Sequence, residues 1–212
     1  MSNLIREEYL VTDISEFRER FGDTTATIYD KSAPFLSAPM QDFIRLSPFC
    51  VVSSQDSEGC TDISPRGDPA GFVEIIAPKI ILIPDRPGNQ RFDTFRNVLT
   101  NPPVSVLFLI PGVLDTVRVN GRGFVTRDPD LLKRCAIKDR VPPVGLLVEV
   151  EEAYGHCSKA IRRSGLWDEQ TKIERSEAPS LCEMMSAHLH CSKEALEEIQ
   201  SRIVRDVRNN IY

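Results

Sequence analysis

Residues 49–64 read FCVVSSQDSEGCTDIS. FCVVSSQ (49–55) has the apolar and β-branched character of a strand, DSEG (56–59) is a turn by composition, and CTDIS (60–64) is a returning strand. Strands joined by so short a turn pair antiparallel, because a parallel neighbour needs a crossover of a dozen or more residues. Outward from this hairpin the same texture continues through GFVEII (71–76), KIILI (79–83), VSVLFLI (104–110), LDTVRVNGRGFVT (114–126) and GLLVEVEEAY (145–154). Six or seven short strands at this spacing predict an antiparallel barrel or sandwich with helices inserted and appended, an α+β chain that is mainly β. A doubly wound parallel sheet is disfavoured.

Helical periodicity occupies the rest. Ile14, Phe17 and Phe21 recur at helical spacing, with Gly22 as a stop. Pro34 and Pro39 punctuate a connection. RFDTFRNVLT (91–100) places Phe92, Phe95 and Leu99 on one helical face and ends at Pro102 and Pro103. DPDLLKRC (128–135) starts a helix with Asp128 as cap and Pro129 at its first position. CSKAIRRSGLW (157–167) and the stretch from Leu181 to Val207 also have helical spacing. The expected organisation is one domain over residues 1–212: an N-terminal helical extension (1–40), a barrel (41–155) and a C-terminal helical region (156–212).

Composition bounds the function. With a net charge of −5, 41% hydrophobic and 27% charged residues, the chain is that of an ordinary globular protein without a basic field for nucleic acid. No apolar run approaches the roughly 20 residues that span a bilayer. The opening MSNLIREEYL has no apolar secretory core. Cys50, Cys60, Cys135, Cys157, Cys182 and Cys191 are scattered without a CxxC pair, so free thiols and a cytoplasmic location are expected. HLHC (188–191) puts His188 and His190 two apart on a helix, facing different ways, and no metal site is expected there.

Four stretches could carry chemistry. PDRPGNQR (84–91) joins a buried-type strand to a helix, and Asn89 could cap that helix. Arg86 and Arg91 could fork onto phosphate oxygens beside a helix start that already favours anions; the alternative is a solvated turn. In DTVRVNGRG (115–123), period-two alternation puts Thr116, Arg118 and Asn120 on one face, which either greets a planar polar ligand or is simply wet. SPRGDPAG (64–71) is a constrained loop holding Arg66 and Asp68. HCSKAIRRSGLW (156–167) gathers Lys159, Arg162 and Arg163 near Trp167, the one tryptophan.

Taken together, FCVVSSQDSEGCTDISPRGDP (49–69), KIILIPDRPGNQRFDTFRNVLTNPPVSVLFLIPG (79–112) and DTVRVNGRGFVT (115–126) resemble the pyridoxamine 5′-phosphate oxidase-like flavoproteins, and within them the FMN-dependent branch. The resemblance covers roughly residues 35–170. It implies an FMN-binding split barrel, a six-stranded antiparallel Greek-key barrel with flanking helices, and a homodimer with FMN at the subunit interface. It implies Arg86, Asn89 and Arg91 at the phosphate and Val51, Val52, Ser53 and Ser54 along the ribityl chain and ring. Thr116 matches a position facing the flavin, with Arg118 and Asn120 beside it. Trp167 resembles a residue reaching the flavin from the second subunit. Arg66, Lys159 and Arg162 would orient a small-molecule substrate. The C-terminal arginine and histidine pattern of true pyridoxamine phosphate oxidases is not matched, so oxidation of a B6 vitamer is not expected. The expected activity is FMN-dependent hydride transfer at flavin N5; the rivals are a non-enzymatic redox sensor or cofactor store and a ligand-free dimeric module. A deazaflavin in place of FMN stays open.

Overall fold

Seven strands, β1 (Phe49–Gln55), β2 (Thr61–Gly67), β3 (Glu74–Ala77), β4 (Ile80–Pro84), β5 (Pro103–Leu109), β6 (Thr116–Thr126) and β7 (Gly145–His156), form one fully antiparallel sheet in the order β2-β1-β5-β6-β7-β4-β3. The computed structural model describes residues 5–25, 30–189, 195, 198–202 and 204–205. The chain divides into two units, residues 1–32 and 33–212. In the first, α1 (Ile14–Phe21) is capped by the Asp13 side chain, which accepts from the Ser15 N–H at 2.8 Å, and it ends at Gly22 with φ 79°. Ile14, Phe17 and Phe21 lie on it as the spacing predicts, and all three are exposed.

The second unit opens with α2 (Ala38–Leu46), which the sequence reading passes over as a connection. Pro39 lies in the first turn of this helix, where its missing N–H costs nothing. β1 (Phe49–Gln55) and β2 (Thr61–Gly67) are the expected hairpin, and β2 runs three residues further than CTDIS, so Arg66 is a strand residue rather than a loop residue. β3 (Glu74–Ala77) and β4 (Ile80–Pro84) follow, then α3 (Asp93–Thr100), β5 (Pro103–Leu109) and β6 (Thr116–Thr126). α4 (Pro129–Lys133), with Asp128 accepting from the Asp130 and Leu131 N–H groups, leads to β7 (Gly145–His156), and α5 (Lys159–Ser164) and α6 (Leu181–Leu189) come last. The expected helix to Val207 and the HLHC motif extend beyond α6 into residues partly outside those described.

The expectation of a six-stranded barrel is corrected in two respects: there are seven strands, and the sheet is open. Its two edges are β2 and β3. β2 carries Pro65, which has no N–H to offer another strand, and β3 is four residues long with an irregular register against β4. α3 packs against β1, β2 and β6.

Alternation along each strand sends one row inward. Cys50 and Val52 of β1, Val106 and Phe108 of β5, Val119 of β6, and Val148 of β7 form the core with Ile81 and Ile83 of β4 and Ile44 of α2. β6 and β7 slip register between Asn120 and Gly121, leaving Glu151 as the extra residue of a bulge. A Cβ on Gly121 would lie 1.9 Å from the Glu149 carbonyl oxygen, so only glycine allows the strands to approach there.

Candidate functional site

The inward side of the helix α3 is half polar and half apolar. Phe92, Phe95 and Leu99 do not form the buried stripe that their spacing suggests: Phe92 and Leu99 are exposed, and the buried residues are Thr94, Phe95, Asn97 and Val98. The helix begins at Asp93, so Phe92 is its N-cap rather than a face residue. Thr94 and Asn97 turn inward because the inner row of β2 is itself polar. Asp62, Ser64 and Arg66 pair with Ser54, Val52 and Cys50 and share their side of the sheet.

These groups form one hydrogen-bonded chain around Arg66 and a separate pair at Asn97. The Arg66 guanidinium donates to the Ser64 hydroxyl, to the Pro65 carbonyl at 3.0 Å and to Thr94 Oγ1 at 3.2 Å. Thr94 Oγ1 in turn donates to Asp62 at 3.4 Å, and Asn97 Nδ2 donates to Ser54 Oγ at 3.0 Å. Among the described residues no buried side-chain nitrogen or oxygen lacks a partner.

The turn PDRPGNQR closes the corner over the start of α3. Gln90 and Phe92 both adopt left-handed backbone (φ 57° and 56°), a conformation that costs a non-glycine residue roughly 1 kcal/mol. Asn89 does not cap α3. Its side chain accepts from the Arg91 N–H at 3.1 Å and holds the turn instead. The N-cap is Phe92, which has no side chain able to bond the first-turn N–H groups. That helix start is therefore left without a side-chain cap, with Thr94 and Arg66 on one side and Arg91, paired to the first-turn Asp93, on the other. Arg91 is exposed and donates to Asp93 at 2.7 Å. The shared hydrogen bond holds the Asp93 carboxyl below its usual range and raises the guanidinium.

Arg86 is differently placed. Its Nε donates to Asp68 Oδ2 at 2.5 Å, and Nη2 donates to the Cys135 carbonyl at 2.9 Å. The Asp68 side chain is only 2% exposed, so this is a buried pair. Next to it, burial pushes the Asp85 carboxyl above its ordinary range, and Arg66 and Arg86 draw it back. Burial also pushes the Cys50 thiol up to about 12, which makes it inert.

On the opposite side of β1 lies a second polar row. The register places Ser53, Ser105, Asn120 and Glu152 side by side across four strands. Asn120 accepts from Ser105 Oγ at 2.9 Å and Arg118 Nε at 3.1 Å, and donates to Glu152 at 2.6 Å. Arg118 stands over the Tyr154 ring, 5.4 Å from its centroid. Thr116 shares the row's face but is buried. A shallow cleft of about 270 Å³ crosses this face, lined by Ser53, Thr61, Ser105, Asn120 and Glu151.

The predicted site residues thus separate into groups. Val52 and Ser54 point inward, while Val51 and Ser53 point to the second row. Arg66, Asn89 and Arg91 meet at the start of α3. Lys159 and Arg162 are exposed on α5, and the Trp167 indole donates to the Val113 carbonyl at 2.9 Å. Among the described residues, no hydrogen bond or ion pair joins these three to the corner. Asp62, Ser64, Thr94 and Asn97 were not foreseen. Their signal was present as D-x-S-x-R (62–66), a period-two polar row continuous with the hairpin.

Residues 36–157 match the family model described as pyridoxamine 5′-phosphate oxidase. Several solved structures are similar in outline. One is HupZ from Group A Streptococcus, with a TM-score of 0.46 and 17% identity over 57% of this chain and 93% of that one. Another is an FMN-binding protein from Syntrophomonas wolfei, at 0.42 and 11% over 68% and 97%. A third is the general stress protein 26 of Bacillus anthracis, at 0.40 and 16% over 54% and 88%. No curated protein sequence matches the chain.

Proposed function

The chain belongs to the pyridoxamine 5′-phosphate oxidase family, and from that premise we propose that it is a flavoprotein that binds FMN and acts as an oxidoreductase on a small molecule. The observation that carries this reading is the start of α3, left without a side-chain cap and flanked by Arg66, Thr94 and Arg91. That set suits a phosphate: uncapped backbone N–H groups lie beside two guanidiniums with N–H donors to spare, at the end of the helix where its dipole favours negative charge, while Asp62 and Asp93 hold Thr94 and Arg91 in place. Arg66 joins the phosphate group rather than the substrate group, because Ser64 and Thr94 fix its guanidinium there. Asn89 acts by shaping the turn.

When bound, the flavin supplies hydride exchange at N5; the chain supplies binding, orientation and shielding. The chain pairs with a second copy, so that FMN lies at the boundary between subunits. Lys159, Arg162 and Trp167 approach the ring across that boundary. Val51 and Ser53 line the outward face there, beside the group that Asn120 holds together with Ser105, Arg118 and Glu152.

The test is direct. Purified protein is expected to carry a flavin absorption band, released FMN is expected by mass spectrometry, and NADH or NADPH is expected to bleach the band. Colourless protein that takes up no FMN, riboflavin or deazaflavin on titration overturns the reading. Flavin uptake by a stable monomer in sedimentation would remove the shared site while leaving the cofactor.

A further inference from the structure

Arg86 lies in the turn that holds the corner together, yet its guanidinium is bonded to groups outside the α3 start. Its Nε and Nη2 reach two other segments: Asp68, just beyond β2, and the Cys135 carbonyl, just beyond α4. Arg66 is two residues before Asp68 on the same strand end, and Arg91 is five residues after Arg86 in the same turn. The one side chain therefore ties the segment that carries Arg66 to the segment that carries Arg91. It is well suited to this: a guanidinium is planar and always charged, and it offers several donors in a fixed fork, so it can bond a carboxylate and a carbonyl at once. A lysine ammonium at the same position is a point charge without that fork.

We propose that Arg86 is a positioning residue that sets the spacing between Arg66 and the Arg91 turn through its bond to Asp68, and is not itself a ligand of the phosphate. The inference rests on the flavin reading of the same corner. It yields a distinction that neither a direct ligand nor a merely structural residue shares. If Arg86 braces the corner, Asp68 matters to phosphate recognition as much as Arg86 does, although Asp68 carries a negative charge that would repel a phosphate.

The experiment compares FMN with riboflavin, which lacks the phosphate, on the full chain by fluorescence titration. Arg86→Gln and Asp68→Asn are each expected to weaken FMN by about tenfold while leaving riboflavin nearly unchanged, and the double variant is expected to be no worse than either single one. Arg86→Lys is expected not to rescue. An unchanged or tighter FMN affinity in Asp68→Asn, with loss in Arg86→Gln, would make Arg86 a direct ligand. Equal effects on FMN and riboflavin would make the pair structural only; either result overturns the proposal. Should a single variant fail to fold, the double variant Arg86→Gln/Asp68→Asn, with two amides in place of two charges, carries the same comparison. A wild-type protein that binds neither flavin removes the flavin reading separately. The brace is then judged with inorganic phosphate, which should raise the wild-type melting midpoint and not that of the two single variants.

Discussion

Strand β1 has a polar row on each side. Inward and towards its edge, Ser54 meets Asn97, and beyond it lie Asp62, Ser64, Arg66 and Thr94. Outward, Ser53 begins the row that continues through Ser105 and Asn120 to Glu152. The outward row is internally complete around Asn120, which accepts from two neighbours and donates to a third. The inward row ends at a helix start with no side-chain cap and at an arginine exposed on the turn. A polar group that is already satisfied has little to gain from a ligand, whereas one held open in a fixed geometry binds without reorganisation. Polarity alone does not mark a site; helix N–H groups left without a side-chain cap do.

That contrast can be broken from either side. The largest effect is expected at the bulge that aligns the outward row. Gly121→Ala drives a Cβ into the Glu149 carbonyl and should cost about 3 kcal/mol or more of stability, read as a lowered urea midpoint. A variant as stable as the parent would mean that β6 and β7 separate there without cost. Next, Arg66→Ala should weaken FMN by about 100-fold, or ~2.7 kcal/mol, whereas Asn120→Ala should change FMN affinity by less than about threefold. The loss at Asn120 should appear instead in stability, at about 1–2 kcal/mol, as Ser105, Arg118 and Glu152 lose their partner. Reversal of those two rankings would transfer the binding role to the outward row.

A smaller effect is expected at Asp85. Its folded carboxyl binds its proton more tightly than the unfolded one, so the folded state holds more protons in that window and loses stability as pH rises through the raised value. Asp85→Asn should therefore raise the flavin-free melting midpoint by about 1–3 °C at neutral pH, and the gain should vanish as pH falls below the carboxylate range. A gain that persists in acid would assign the effect to something other than the charge. The smallest perturbation is thiol labelling of the native protein. Cys60 and Cys157 are exposed and should react first; Cys50 and Cys135, with thiols pushed up to about 12 and about 11, should react only on unfolding.

Much of this was legible in the chain itself. The hairpin at 49–64, the strand texture after it and the Asp128–Pro129 helix start are local signals, and each produced its element. So did the turn that follows Pro84, where Pro87 and Gly88 interrupt regular structure between β4 and α3. No helix among the described residues is long and apolar enough to cross a membrane. α2 was missed because Pro34 and Pro39 read as a connection, although proline in a first turn is compatible with a helix. The face of α3 was misread for a related reason. Periodicity assigns apolar residues to the inside, and here the inside offered Asp62, Arg66 and Ser54, so Thr94 and Asn97 were buried in place of Phe92 and Leu99.

What the sequence by itself determined is therefore the set of strands, their antiparallel sense, the alternation along each, and the residue types gathered at 84–91. These depend on neighbours within a few positions. Which partners those residues meet was decided only by the tertiary structure. Arg86 and Arg91 stand in one turn and look alike in sequence. Their partners diverge because Asp68 and Cys135, 18 and 49 residues away, arrive beside Arg86, whereas Arg91 bonds the local Asp93, two residues on.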